Sequence, residues 1–182
     1  MGSLSELQQL IDAHYQPLYR FAFRLAGTSA DAEDLTQETF GKALSRLPQL
    51  RDPQRARGWL FRILRNAYLH RVRDQKRHRI VPLESVGDIP ERPSEDWPEI
   101  DPAQLQHALN ELEEGFRTPI ILYYFEDFSY RDIADQMELP IGTVMSRLAR
   151  GKAYLRNRLT PVEHAPISAT ARNGLRRTSD GV

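Results

Sequence analysis

The 182-residue chain has no cysteine. Disulfides, zinc fingers built on thiolates and thiol catalysis are therefore excluded, and a reducing compartment suits it. It has no uninterrupted apolar run long enough to span a bilayer, and no apolar segment behind positive residues of the kind a signal peptide carries. It also lacks net charge, with 25 Lys and Arg against 25 Asp and Glu. That balance argues at first against a nucleic-acid partner, but total charge hides local sign, and here the signs are segregated along the chain. A nucleotide-binding glycine loop, a metal-ligand cluster and a nucleophile–base constellation are all missing, which makes an enzyme the weakest function class. No strand-like alternation and no internal repeat stand out. With 40% apolar and 27% charged residues, the composition is that of a soluble globular protein. The expectation is an all-α, cytoplasmic chain with no cofactor, no metal and no membrane insertion.

Helical patterning occupies two stretches. In "LQQLIDAHYQPLYRFAFRLAG", Leu7, Leu10, Ile11, Tyr15, Leu18 and Leu25 recur at three- and four-residue steps, and Gly27 is a natural stop. Thr28 followed by Asp31 resembles a capping box that opens a second helix. A loop, "PQLRDPQRA", precedes a third helical run from near Gly58. The segment "IVPLESVGDIPERPSEDWPEIDPAQ" is rich in proline and acid and has little periodicity, as a linker does. Helical pattern returns near Ala103 and continues to Leu159, before an irregular polar tail. These boundaries predict a first domain over 5–79, a linker over 80–101, a second domain over 102–160 and a tail over 161–182. Each small domain buries a modest core and is expected to be marginal alone, which suits a larger partner holding both.

The stretch "YRDIADQMELPIGTVMSRLARGK", residues 130–152, reads as two helices around a tight turn. Ile133, Ala134 and Met137 face inward in the first helix. In the second, Val144, Leu148, Gly151 and Leu155 form one apolar stripe. The opposite face carries Met145, Ser146, Ala149, Arg150 and Ala153, with Thr143 and Arg147 beside it. A helix entering a major groove needs a slim outer face, donors for base edges and basic flanks for phosphates. Ala149 and Ala153 supply slimness, and Ser146, Arg147 and Arg150 supply donors. The plainer alternative is an amphipathic bundle helix with solvated arginines. Glu138 stands at a turn position often given to glycine, so a left-handed backbone there is mildly strained.

"RGWLFRILRNAYLHRVRDQKRHR" is the densest cationic run. Leu60, Ile63, Leu64 and Ala67 make its buried stripe, while Arg62, Asn66, Leu69 and Arg73 line the far side, with Arg65 and Lys76 adjoining. The cations can track phosphates, and Asn66 offers both donor and acceptor to a base edge. His70 and His78 lack a third ligand at metal spacing. Trp59 is a better core anchor than a stacking platform. In the helix before, Thr36, Thr39, Phe40, Ala43 and Leu47 share one side, and Asp34, Gln37, Glu38 and Gly41 the other. DNA repels that second face. It is either simply solvated or a docking face for a basic protein surface.

Taken in order, "DAEDLTQETFGKAL", "RGWLFRILRNAYLHRVR" and "FEDFSYRDIADQMELPIGTVMSRLARGKAYLR" closely resemble bacterial sigma factors of the extracytoplasmic-function group, in the sigma-70 family. The resemblance implies a two-domain, all-helical fold and a role in promoter-specific initiation with core RNA polymerase. By it, Asp34, Gln37, Glu38 and Gly41 match the region 2 surface that docks on the beta-prime clamp helices. Arg62, Arg65, Asn66 and Arg73 match the reader of the −10 element, where Asn66 meets a base extruded from the non-template strand. Thr143, Ser146, Arg147, Arg150 and Lys152 match the region 4 reader of the −35 element, and region 4 also docks on the beta flap. The implied partners are core polymerase, promoter DNA and an anti-sigma factor. The linker corresponds to the family's connector through the polymerase cleft, or to a passive tether. Met145 departs from a position often basic in the family, Ala149 from one where some relatives have a larger residue, and Gly115 from one often polar. A stand-alone helix-turn-helix regulator is the alternative.

Overall fold

A computed structural model describes residues 2–76 and 100–159. The tail, all but the last two residues of the predicted linker, and His78 lie outside the described residues. Those that are described form α1 (Gly2–Ala26), α2 (Ser29–Arg46), α3 (Ala56–Lys76), α4 (Pro102–Glu111), α5 (Glu114–Tyr124), α6 (Tyr130–Met137) and α7 (Ile141–Leu159). Short 3-10 turns, Leu47–Gln49 and Pro53–Arg55, bridge α2 and α3.

In the first half, α1 continues through Pro17 because the turns after it are held by packing: Leu18, Phe21, Ala22 and Leu25 are buried. Gly27 ends the helix at φ +86°, a conformation glycine adopts without a Cβ penalty. The Thr28 side chain then accepts the Asp31 backbone N–H at 3.2 Å, starting α2 as the sequence pattern predicts. Thr36 and Thr39 are fully buried, and each hydroxyl donates to the carbonyl four residues back, Ala32 and Leu35, at 2.7 Å. Both polar groups are thereby satisfied inside the core. The α3 stripe of Leu60, Ile63, Leu64 and Ala67 is buried, with Phe61 packed on Phe21 at 4.9 Å between ring centroids.

In the second half, Ser129 and Asp132 form a reciprocal capping box that starts α6. Its end turns through Glu138 at φ 55°, ψ 46°, and the Leu139 N–H reaches the Ala134 carbonyl at 3.0 Å. Val144, Leu148, Gly151 and Leu155 bury one side of α7. A Cβ on Gly151 would lie 2.8 Å from Ile120, so the absence of a side chain lets α5 and α7 approach. At the far end Glu111 accepts from Arg158 at 2.7 and 2.8 Å and from the Tyr154 hydroxyl at 2.9 Å, clasping α4 to α7.

The two predicted bundles are both present, but they are not held apart by a tether. They pack on one another through a single continuous core. Phe61 of α3 meets Phe128 at 5.1 Å. Arg117 of α5 donates to the Leu25 carbonyl at 2.6 Å, to the Tyr68 hydroxyl at 3.1 Å and to the Asn110 and Leu112 carbonyls at 2.8 and 2.7 Å. One guanidinium thus satisfies the open carbonyls at the ends of α1 and α4. Each half therefore buries part of its surface on the other. Residues such as Phe128 and Arg117 sit outside the strongest periodic stripes, so local pattern does not announce that they face the other half.

Candidate nucleic-acid interfaces

On α3, Arg62, Asn66 and Arg73 are exposed while the opposite stripe is buried, as the helical spacing predicts. Trp59 is half-buried against the core. Arg65 differs from its neighbours. Its guanidinium turns towards the second half, 3.4 Å from Glu114 and 3.2 Å from the Gln136 carbonyl. Arg62 donates to the Asp135 carbonyl at 2.7 Å, and Arg57 donates to the Glu126 carbonyl. The Gln136 amide returns a bond to the Gly58 carbonyl. The C-terminal turn of α6 thus lies across the first two turns of α3.

Beside this seam opens a cleft of about 900 Å³. Arg51, Arg55, Arg57 and Arg62, with Asp52 beside Arg55, stand on its first-half side, and Asp127, Asp132 and Asp135 on the other. Cations and acids therefore face each other across it. Arg51, Arg55 and Arg57 are candidate phosphate contacts that the reading of the sequence passed over. Their signal was present in "RDPQRAR", where three arginines flank a short loop, but a loop has no periodicity to show that they converge. Glu126 was missed as well. It is buried among Arg20, Arg24 and Arg57; burial pushes its carboxyl up from the ordinary value, and the arginines oppose that. Arg24 itself lies over the Phe125 ring at 4.2 Å.

On α7 the predicted contact residues divide. Arg150 is exposed. The Ser146 hydroxyl donates to the Thr143 carbonyl at 2.9 Å, and Arg147 folds back to the Gly115 carbonyl at 3.4 Å. Thr143 and Arg147 are half-buried, and Lys152 lines an apolar pocket with Ile120, Tyr124 and Leu155 on the inner side. The outward side of the first turns also carries two exposed apolar side chains, Ile141 and Met145, beside exposed Ser146.

On α2, Asp34, Gln37 and Gly41 are exposed on the edge facing away from the core. Glu38 is partly committed within the chain: Lys42 lies at 2.6 Å and Arg71 at 2.8 Å. The Lys42 hydrogen bond, followed by that of Arg71, holds its carboxyl below the usual carboxylate range. Arg71 lies on the side of α3 opposite Arg62, Asn66 and Arg73, so the Glu38–Arg71 pair ties α2 to α3 away from that face. Among the described residues no group of three or more His, Asp or Glu is placed to hold a metal ion. No described helix is long and apolar enough to cross a membrane.

Comparison with known proteins adds two family models, Sigma-70 region 2 over residues 10–78 and Sigma-70 region 4 over residues 103–155. The RNA polymerase sigma factor SigV of Bacillus subtilis is 33% identical over 150 residues, covering 82% of this chain and 89% of that protein. The ECF RNA polymerase sigma factor SigL of Mycobacterium tuberculosis is 33% identical over 145 residues, covering 78% of this chain and 82% of that protein. The chain belongs to the extracytoplasmic-function group of the sigma-70 family of RNA polymerase sigma factors.

This sigma factor is also 39% identical over 163 residues to the ECF sigma factor SigE of Mycolicibacterium smegmatis, though it spans only 63% of that relative's length. Among solved structures it resembles the sigma factor RpoE in complex with the anti-sigma factor NepR from Bartonella quintana. That match has a TM-score of 0.70 and 31% identity, and it covers 85% of this chain and 96% of the other. CnrH in complex with the cytosolic domain of CnrY matches with a TM-score of 0.63 and 26% identity, covering 86% and 88%. Region 2 corresponds to α1–α3 and region 4 to α4–α7.

Proposed function

We propose that this sigma factor divides promoter reading between two exposed helix faces. The α3 face of Arg62, Asn66 and Arg73, with Arg65 and the cleft arginines beside it, takes the −10 strand. The outer face of α7 enters the major groove of the −35 element, and Asp34, Gln37, Glu38 and Gly41 on α2 meet the beta-prime clamp helices of core polymerase. The supporting observation is that α3 and α7 each bury one stripe and leave a narrow opposite face free of the core. Such a face is what a helix presents to nucleic acid. Asn66, exposed on α3, offers donor and acceptor to an extruded base, and unstacking that base costs a few kcal/mol that binding must offset.

The packing of α6 on α3 adds a condition. Arg62 and Arg65 already donate to α6 carbonyls, so a phosphate competes with those carbonyls for the same N–H groups. Reading the −10 strand therefore requires α6 to withdraw, and core polymerase, engaging both halves, supplies the means. An anti-sigma factor is a partner of the opposite effect, by likeness to the complexes named above.

The test is run-off transcription on genomic fragments with core polymerase, with and without the protein, followed by mapping of start sites. Promoter-specific starts that need both components support the reading. Tight promoter binding in a gel shift without polymerase, together with no capture of core polymerase at low salt, would favour a stand-alone regulator.

A further inference from the structure

Polar side chains near the outward face of α7 are partly engaged within the chain. The Ser146 hydroxyl donates to the Thr143 carbonyl, Arg147 is drawn back to Gly115, and half-buried Lys152 lies beside the inner pocket. What stands out instead is a pair of large apolar side chains. Ile141 is 41% exposed and Met145 50% exposed. Four residues apart, they share one face of the helix, and half-buried Ala149 follows one turn on. A Cβ at the neighbouring Gly142 would meet nothing within 4 Å, so nothing crowds this face.

A major groove offers one apolar group at base-pair level, the C5-methyl of thymine. Arginine and lysine pair with guanine, asparagine and glutamine with adenine; a thioether and an aliphatic chain have only the thymine methyl to bury. Four residues advance about 6 Å along a helix, against about 3.4 Å per base step of a strand. Ile141 and Met145 thus fall within about two base pairs of each other.

Resting on the −35 role given above, we propose that Met145 is a specificity residue that seats a thymine methyl in the −35 element, with Ile141 covering a second thymine within two base pairs. The departure from a basic residue at this position exchanges a phosphate or guanine contact for a methyl contact. Selection on the element is then for T·A pairs at those positions.

The test uses holoenzyme formed from core polymerase and the full chain. Active promoters are selected from a duplex library randomised across the −35 element, and each thymine of a selected element is then replaced in turn by deoxyuridine, which removes the methyl alone. Initiation is expected to fall about fourfold at one or two positions, the size expected for one buried methyl. That penalty is expected to vanish at one position in Met145→Ala and again in Met145→Lys. Both variants alter an exposed side chain and leave the core intact. Selected elements without thymine, no methyl-sensitive position, or a penalty unchanged in both variants would each overturn the proposal. Failure of the wild-type chain to capture polymerase or to start transcription would instead remove the initiation role itself, and the proposal with it.

Discussion

The Arg62 guanidinium of α3 donates to the Asp135 carbonyl of α6 at 2.7 Å. A residue expected on DNA is thus held by the other half of the same chain. Arg57, Arg65 and Gln136 reinforce the seam. Gln136→Ala removes the side-chain bond to the Gly58 carbonyl, weakening the closed arrangement by about 1 kcal/mol, a factor of about five. The free protein is then expected to bind the single-stranded non-template −10 segment of a mapped promoter about fivefold more tightly by fluorescence anisotropy, with a larger radius of gyration in solution scattering. Opening without a gain in affinity would show that α6 does not compete with DNA.

Core docking and base capture are separable. Asp34 is exposed on α2 and Asn66 on α3, each clear of the core. Asp34→Lys is expected to lower capture of core polymerase about tenfold or more, since a close like-charge contact costs several kcal/mol at an interface, and to leave thermal stability unchanged. Asn66→Ala is expected to keep polymerase capture and reduce permanganate-reactive, melted promoter DNA. Loss of polymerase binding in Asn66→Ala would refute its assignment.

Two glycines on helices respond in opposite ways to alanine. A Cβ at Gly41 meets nothing within 4 Å, so Gly41→Ala raises stability by about 0.5–1 kcal/mol through helix propensity. Any accompanying loss of polymerase binding then reports close approach at α2 and not misfolding. At Gly151 the new Cβ lies 2.8 Å from Ile120 and 3.6 Å from the Phe116 carbonyl. Gly151→Ala is expected to cost about 1–3 kcal/mol in urea unfolding as α5 and α7 are forced apart.

Glu138 occupies the left-handed region at φ 55°, as does Asp127 at φ 52°. Glu138→Gly relieves the Cβ clash while keeping the Leu139 to Ala134 bond that closes α6. A gain of about 1 kcal/mol is expected, read as a higher urea midpoint with an unchanged slope. A loss of stability would mean that the Glu138 side chain supports the turn by some other contact.

The Glu111 clasp gives a signed pH dependence. Hydrogen bonding from Arg158, then from Tyr154, lowers the Glu111 pKa from 4.5 to about 2. A carboxyl depressed in the folded state contributes stability that is complete above its unfolded value and is lost as pH falls through the folded one. The stability gap between wild type and Glu111→Gln should therefore be full at neutral pH, shrink below about 4.5 and close near 2. Unfolding measured across that range checks it, and a gap independent of pH would show that the clasp is not electrostatic.

Periodicity alone determined the helices, the two bundles and which stripe of each helix is buried, because burying an apolar stripe requires steps of three and four residues. Val144, Leu148 and Leu155 on α7, and Leu60, Ile63 and Leu64 on α3, are where that spacing puts them. Gly27, the Thr28 cap and the strained Glu138 turn were equally legible, since each is set by a residue's own backbone preference. The outward placement of Arg62, Asn66, Arg73, Asp34 and Arg150 followed from the same geometry.

Only the tertiary structure decided what the second half does to the first. That the ends of α1 and α4 converge on Arg117, that α6 covers the start of α3, and that Arg51, Arg55 and Arg57 share a cleft with Asp127, Asp132 and Asp135 all depend on contacts between residues far apart in the chain. No local spacing encodes such contacts. The same holds on α7. The sequence puts Arg147 near the outer face, but its guanidinium reaches the Gly115 carbonyl of α5, while Ile141 and Met145 stay exposed beside Arg150. The Gly115 carbonyl lacks a helical donor because Pro119 stands four residues on, and only the packing of α5 on α7 brings it within reach of Arg147.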